Sequence, residues 1–188
     1  MNKYFTSDLH LNHCNIIKYS NRSFSSVERM NEVLINNINQ RAKKEDVLYH
    51  LGDFICYGNE KGTIGTKIKP EEFLNKINCN VILIQGNHDK NNRVKYHLSG
   101  AYTTLPIIGK VSMSHYPSND LHCPIYFNKN ELNYHLCGHV HNTWEYYFDK
   151  DNNCLNINVG IDVWKNQIVS EQELVKYIKE VKNESLHI

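Results

Sequence analysis

The sequence predicts an α/β protein in which two mixed β-sheets pack together with helices outside, and three observations carry that expectation. Strand-length, β-branched apolar runs recur at Tyr4 to Thr6, Val47 to Leu51, Val81 to Ile84, Val111 to Met113, His135 to Cys137 and Ile157 to Val159. Three other stretches repeat apolar residues at helical spacing. Strands and helices alternate in the first half, whereas strands crowd together from Tyr102 to Val159, which a purely doubly wound sheet would not give.

Each element has a local reason. Between the first two strands, Ser25 and Glu28 read as an S-x-x-E capping box, and Val27, Met30, Leu34 and Ile38 share one face, so a helix is expected from about 26 to 41. Pro70 in a first turn, followed by Glu71, Glu72, Phe73, Leu74 and Ile77, predicts a second helix leading into the Val81 strand. Ser170 and Glu173 repeat the capping box before Leu174, Tyr177, Ile178 and Val181, so a C-terminal helix is expected. Residues 57–69, 89–96 and 116–130 read as loops. No repeat, linker or shift of composition divides the chain, and one domain over 1–188 is expected.

The bulk numbers exclude some classes. A formal charge of +1 over 188 residues offers no strongly basic surface, so avid nonspecific nucleic-acid binding is not expected, although nucleic acid stays admissible as a substrate. The mean hydropathy is −0.56, and no run is long enough to span a bilayer. A start that opens directly on Met1 to Asp8 reads as neither signal peptide nor anchor, and the expected location is cytoplasmic. Cys14, Cys56, Cys79, Cys123, Cys137 and Cys154 form no C-x-x-C pair and read as reduced, partly buried small hydrophobes. Nothing in the sequence sets the oligomeric state.

Five motifs carry the chemistry: Asp8-x-His10, Gly52-Asp53, Gly86-Asn87-His88-Asp89, Ser114-His115 and Gly138-His139-x-His141. Each follows an apolar run, and loops leaving strand ends project side chains into a shared crevice. Two carboxylates, an amide and at least four histidines are costly to gather unless cations hold them together. Mixed oxygen and nitrogen donors suit Mn, Fe, Zn or Ni better than Ca or Mg. Asp53 can bridge two ions through its two oxygens, and His88 is the candidate proton donor to a leaving oxygen. Two carboxylates and a bridging hydroxide would leave two divalent cations with net positive charge. Such a site attracts an anionic phosphoryl group and supplies a nucleophile at neutral pH.

The ordered pattern D-x-H, G-D, G-N-H-D, H and G-H-x-H resembles the calcineurin-like metallophosphoesterase superfamily over residues 4 to 163. The segments His13 to Ile17, Asn21 to Phe24 and Asn158 to Trp164 look more narrowly like its small bacterial and phage phosphoesterases. The resemblance implies a four-layer α/β/β/α sandwich with two divalent metal ions, manganese foremost, at the strand ends. It implies that Asp8, His10, Asp53 and His141 hold one ion and that Asp53, Asn87, His115 and His139 hold the other. His88 would be the general acid, oriented by Asp89. The chain is close to a minimal core with no inserted cap, so selectivity would fall to short loops, the 116–130 segment above all.

Several readings stay open at this point. His13 could lie beside the cluster and Arg22 could bind a substrate phosphate through its planar fork, or both could be structural partners. Asp162 and Trp164 read as packing of a terminal strand, and Lys90, Arg93 and Lys95 as a solvated loop. No metal role is expected for His50, His97, His122, His135 or His187. The expected partner is a phosphorylated small molecule or nucleotide, with diesters slightly ahead of monoesters because an uncapped site is open to bulky groups. A binding scaffold without catalysis would show a damaged motif, and an amide or lactone hydrolase would show a tight H-x-H-x-D-H cluster. Neither mark is seen.

Overall fold

In a computed structural model, which describes residues 1–59, 61 and 64–185, nine strands form two mixed sheets. Residues 60, 62 and 63 of the expected 57–69 loop, and His187, lie outside the described residues. The strands are β1 (Lys3–Thr6), β2 (Val47–His50), β3 (Asn80–Leu83), β4 (Gly100–Leu105), β5 (Gly109–Ser114), β6 (Asn133–Cys137), β7 (Tyr146–Asp149), β8 (Cys154–Asn158) and β9 (Val169–Ser170). The helices are α1 (Ile16–Tyr19), α2 (Val27–Arg41), α3 (Pro70–Leu74) and α4 (Glu171–Ser185).

The first sheet has the order β3-β2-β1-β9, with β1, β2 and β3 parallel and β9 antiparallel at the edge. The second has the order β4-β5-β6-β8-β7, parallel at β5-β6-β8 and antiparallel at both margins. The two parallel cores end side by side, and an isolated parallel bridge from Ser7 to Gly160 ties the exit of β1 to the exit of β8. That junction gathers the loops of both sheets.

Alternation along the strands builds two cores. Tyr4 and Leu48 face Met30, Leu34 and Ile38 of α2 together with Phe73 of α3, forming a helix-covered core. Phe5 and Leu51 face Val111, Met113, Leu136, Leu155 and Ile157 of the second sheet, and Leu174, Ile178 and Val181 of α4 close this second core. The outward face of β5, β6 and β8 is polar at Ser112, Ser114, His135, Asn156 and Asn158. Part of the 116–130 segment bonds to it. Ser118 reaches Asn156 and Asp149, and the Tyr116 carbonyl reaches His135.

Differences from the sequence reading lie at element ends and in the short or marginal elements α1, β4, β7 and β9, which it did not single out. The α2 cap is Ser26 rather than Ser25, since its Oγ accepts from Arg29 N at 3.2 Å, so a one-way N-cap takes the place of the expected Ser25–Glu28 box. The helix at Pro70 stops at Leu74, with the box made by Lys69 N donating to Glu72. The Ser170–Glu173 box forms as expected, each residue's backbone N–H bonding to the other's side chain. Strands β4 and β7 and the short β9 had no distinct apolar signature because each is a sheet margin or is only half covered.

Candidate metal centre

The motif loops leave their strands in the left-handed backbone region. Asp8, His10, Asp53, His139 and His141 have φ of 57°, 45°, 58°, 72° and 49°. Residues with a Cβ adopt that region at a cost, and such strain collects where a site over-determines the backbone. Two glycines make the approach of the loops possible. Gly52 has φ of +94°, and a Cβ there would lie 2.6 Å from the Cα of Gly86, so the close backbone approach of the second and third motif loops needs glycine at this point. A Cβ on Gly138 would run into Ser7 Oγ and the Asp8 carboxylate.

Those loops bring Asp8, His10, Asp53, Asn87, His88, His115, His139 and His141 to one crevice. Asp8 and His115 are fully buried, His10 and Asp53 are nearly so, His139 and His141 are half-buried, and Asn87 and His88 are exposed at the mouth. Asp53 Oδ1 accepts from His88 N at 2.9 Å, which leaves Oδ2 at 3.5 Å from His10 Nε2 and equally 3.5 Å from His115 Nε2. Asp8 Oδ2 accepts from His139 N at 3.0 Å, so the first and last motifs meet directly. Asn87 Oδ1 lies 2.8 Å from His115 Nε2 and 3.0 Å from His139 Nδ1. The His10 ring stacks on that of His141, with centroids 5.2 Å apart.

The donor chemistry fits a cation. Asp8, His10 and His141 form one group of converging ligand atoms and Asp8, Asp53 and His115 another, both among the described residues. Asp8 Oδ1 and His10 Nε2 are buried without a hydrogen-bond partner, which is costly for a carboxylate unless positive charge compensates it. His115 Nδ1 lies 2.8 Å from the Leu51 carbonyl, so the proton of a neutral ring belongs on Nδ1 and the Nε2 lone pair turns toward the acceptor oxygen of Asn87. Acceptor facing acceptor is stable when a cation lies between them.

The electrostatics agree. Burial pushes the Asp53 carboxyl up to about 6, His115 opposing the rise and Asp8 adding to it. Burial, reinforced by His141 and Arg22, holds His10 well below the usual histidine range, and burial also lowers His13 and His139. Neutral imidazole is the form that binds metal. His141 is the exception. Burial alone would lower it, but its hydrogen bond to Asp162 and the Asp8 charge outweigh burial and raise its pKa.

For Arg22 the structure takes the structural alternative, and for Asp89 it gives a different role from the one expected. Arg22, read as a candidate phosphate fork, is 7% exposed, and all its N–H groups are taken. Nε and Nη2 hold the Asp162 carboxylate at 2.7 and 3.1 Å, Nη2 also donates to the Asp8 carbonyl at 2.6 Å, and Nη1 donates to the Leu9 carbonyl and toward Met30 Sδ. It has no donor left for a substrate. Asp89, expected to orient His88, instead accepts from Asp53 N, Phe54 N and Gly86 N at 3.0, 3.0 and 2.7 Å. Its carboxylate clamps the second motif loop to the third, because three orphan N–H groups there outcompete an exposed imidazole. His13 does lie at the rim, 5.8 Å from the His10 ring, with Nδ1 accepting from Ile16 N at the start of α1.

Sequence reasoning missed Asp162. It sits in the turn after β8 with 3% of its side chain exposed, and its Oδ2 is 2.8 Å from His141 Nδ1. The signal was present as an acidic residue in the loop past a strand end, as Asp8 and Asp53 are. Arg93, by contrast, packs its guanidinium over the Tyr57 ring at 4.1 Å and belongs to the loop scaffold.

Comparison with known proteins adds to this geometry. The family model for calcineurin-like phosphoesterases matches residues 1–143. An uncharacterized protein of Methanocaldococcus jannaschii is 46% identical over 87 residues, which is 46% of this chain and 46% of that protein, so the match spans about half the length of this curated relative. The crystal structure of a protein of unknown function from Aquifex aeolicus is similar at a TM-score of 0.67 and 27% identity, covering 94% of this chain and 99% of that one.

Proposed function

The chain belongs to the calcineurin-like phosphoesterase family, and from that premise we propose that it is a metal-dependent phosphoesterase whose substrates are phosphodiesters of nucleotide type. The observation that carries the metal dependence is the pair of orphaned buried atoms, Asp8 Oδ1 and His10 Nε2, inside a ring of further donors. Asp8, His10, Asp53 and His141 would hold one divalent ion. Asp53, Asn87, His115 and His139 would hold the other, with Asp53 shared because its Oδ2 stands equally far from His10 and His115. When bound, such ions polarise phosphoryl oxygens and lower the pKa of water toward ~7. Manganese is the cation we favour, with Fe, Zn and Ni as alternatives for the same donor set.

The protein's own contribution is placement. The buried carboxylates are oriented by backbone N–H groups, His88 N on Asp53 and His139 N on Asp8, so their free oxygens keep one direction. The His88 ring stands at the mouth, edge-on to His10 with centroids 5.6 Å apart, where it can hand a proton to a departing alkoxide. The mouth is open beside Asn87 and His88, which favours an ester with groups on both sides of phosphorus.

The test is an assay of manganese-loaded protein on an aryl phosphodiester and an aryl phosphomonoester side by side, followed by a nucleotide panel. Preference for the diester is expected, and preference for the monoester would move the assignment to a phosphatase. A chelator should abolish turnover and Mn2+ restore it. His88→Ala should keep its metal and lose about 100-fold or more in kcat; loss of metal in that variant would place His88 among the ligands.

A further inference from the structure

We infer that Asp162 is a positioning residue that fixes the tautomer and aim of His141 and, through Arg22, locks the last motif loop onto the first. The inference rests on the reading of His141 as a metal ligand, but half of it concerns the protein alone. A carboxylate can only accept a hydrogen bond, so Asp162 Oδ2 at 2.8 Å requires the His141 proton on Nδ1. Nε2 is left with its lone pair. Ser20 Oγ, 3.2 Å from the same Nδ1, lies beside that contact and cannot replace a charge.

The other oxygen of Asp162 anchors the bracket. Oδ1 accepts from Arg22 Nε at 2.7 Å and Oδ2 shares Nη2, a forked pair whose geometry is set by two planar groups. The remaining Arg22 donors hold the carbonyls of Asp8 and Leu9. A continuous line of bonds therefore runs from the Asp8 backbone through Arg22 and Asp162 to the His141 ring. It joins the exit of β1 to the loops after β6 and β8, which belong to different sheets. Asp162 and Arg22 are each buried at the side chain, so the line is shielded from solvent screening. A carboxylate behind a metal-binding imidazole raises ligand basicity and fixes ring orientation, and loss of such a partner typically lowers metal affinity about 10- to 100-fold.

Two measurements on the full chain test this. Nitrogen-15 NMR of the metal-free protein, at a pH high enough for the His141 ring to be neutral, should show the Nδ1–H tautomer in the wild type and lose that preference in Asp162→Asn, while Asp162→Glu restores it. Mn2+ titration by calorimetry should show one of two binding events weakened about 10- to 100-fold in Asp162→Asn, with no further weakening when the same change is made in a His141→Ala background. A wild-type Nε2–H tautomer, or equal weakening in both backgrounds, would overturn the positioning role. Absence of any Mn2+ binding by the wild type would instead overturn the metal reading while leaving the tautomer result to stand. Circular dichroism of each variant separates these outcomes from misfolding, and in Arg22→Met/Asp162→Asn no buried arginine is left unpaired. Weakened binding that persists in this folded double variant supports the inference, and wild-type affinity there overturns it.

Discussion

At the scale of single residues, the histidines sort by what their nitrogens face. Those of the motifs face one another and two carboxylates, whereas His50 and His135 are buried among neutral groups. His50, on β2 beside Thr6 of β1, has no hydrogen-bond partner on either nitrogen, and burial pushes its pKa down to about 3. His135 is held at about 4, again by burial, although Ser112, Ser114 and the Tyr116 carbonyl surround its ring. For such a base the unfolded chain binds protons first as pH falls below ~6.5, so stability is full above that pH and is lost on the way down to the folded values. Each histidine removes about 1.4 kcal/mol per pH unit in that window. Urea unfolding at pH 7 and pH 5 should show the loss. His50→Leu should flatten the pH dependence and raise stability at pH 7 by about 1 kcal/mol; an unchanged slope would mean that His50 titrates normally. His50 ends β2 with its ring packed edge-on against Phe54, whereas His115, just past β5, faces Asp53 and Asn87.

At the scale of elements, periodicity and caps were legible where a whole face is apolar. The helices at Val27 and Glu171 and the central strands of both sheets read directly from spacing. The margins did not, since a strand with one exposed face and one free edge carries half the apolar signal. The 116–130 segment shows the same limit. Its tie to the second sheet runs through polar atoms on an outward face, with His135 Nε2 donating to the Tyr116 carbonyl beside Ser114, Nδ1 facing Ser112 Oγ, and the ring packing edge-on against Phe127. Tyr116 in turn lies against His115 and His139, with ring centroids 5.2 and 5.1 Å away. His135→Leu should therefore cost about 1–3 kcal/mol by removing the ring's hydrogen bonds to Ser112, Ser114 and the Tyr116 carbonyl and should loosen 116–123 in hydrogen exchange while β6 and β8 keep their protection. Uniform loosening of the second sheet would assign His135 to the sheet instead.

At the scale of the whole molecule, the proposed ligands come from both sheets: Asp8, Asp53 and Asn87 follow strands of the first, and His115, His139 and His141 follow strands of the second. A cation bound among them would bind only when the two sheets are docked, so it should add to global stability. At a free concentration a hundred times its Kd, each ion contributes about 2.7 kcal/mol, or roughly 5–10 °C in Tm for a chain of this length. Calorimetric scans with Mn2+ and with chelator should show that difference. Asp53→Asn, which removes the ligand proposed to be shared by both ions, should remove most of it; a shift that survives in Asp53→Asn would deny the shared role. Among the described residues no helix is long and apolar enough to cross a membrane.

The sequence by itself determined the α/β class, the central strands, the capped helices and the five loops that carry the chemistry, because apolar period, caps and motif residue types are local properties of the chain. Tertiary structure alone decided which side chains spend their hydrogen bonds on the scaffold. Arg22 stood open between a substrate fork and a structural partner, and Asp89 looked like a catalytic group, until their partners were seen to be the carbonyls and N–H groups of neighbouring loops. Asp162 looked like packing until it proved to stand behind His141. A donor's partner depends on which strand ends meet in space, and that is settled by the docking of two sheets, which no window of sequence contains.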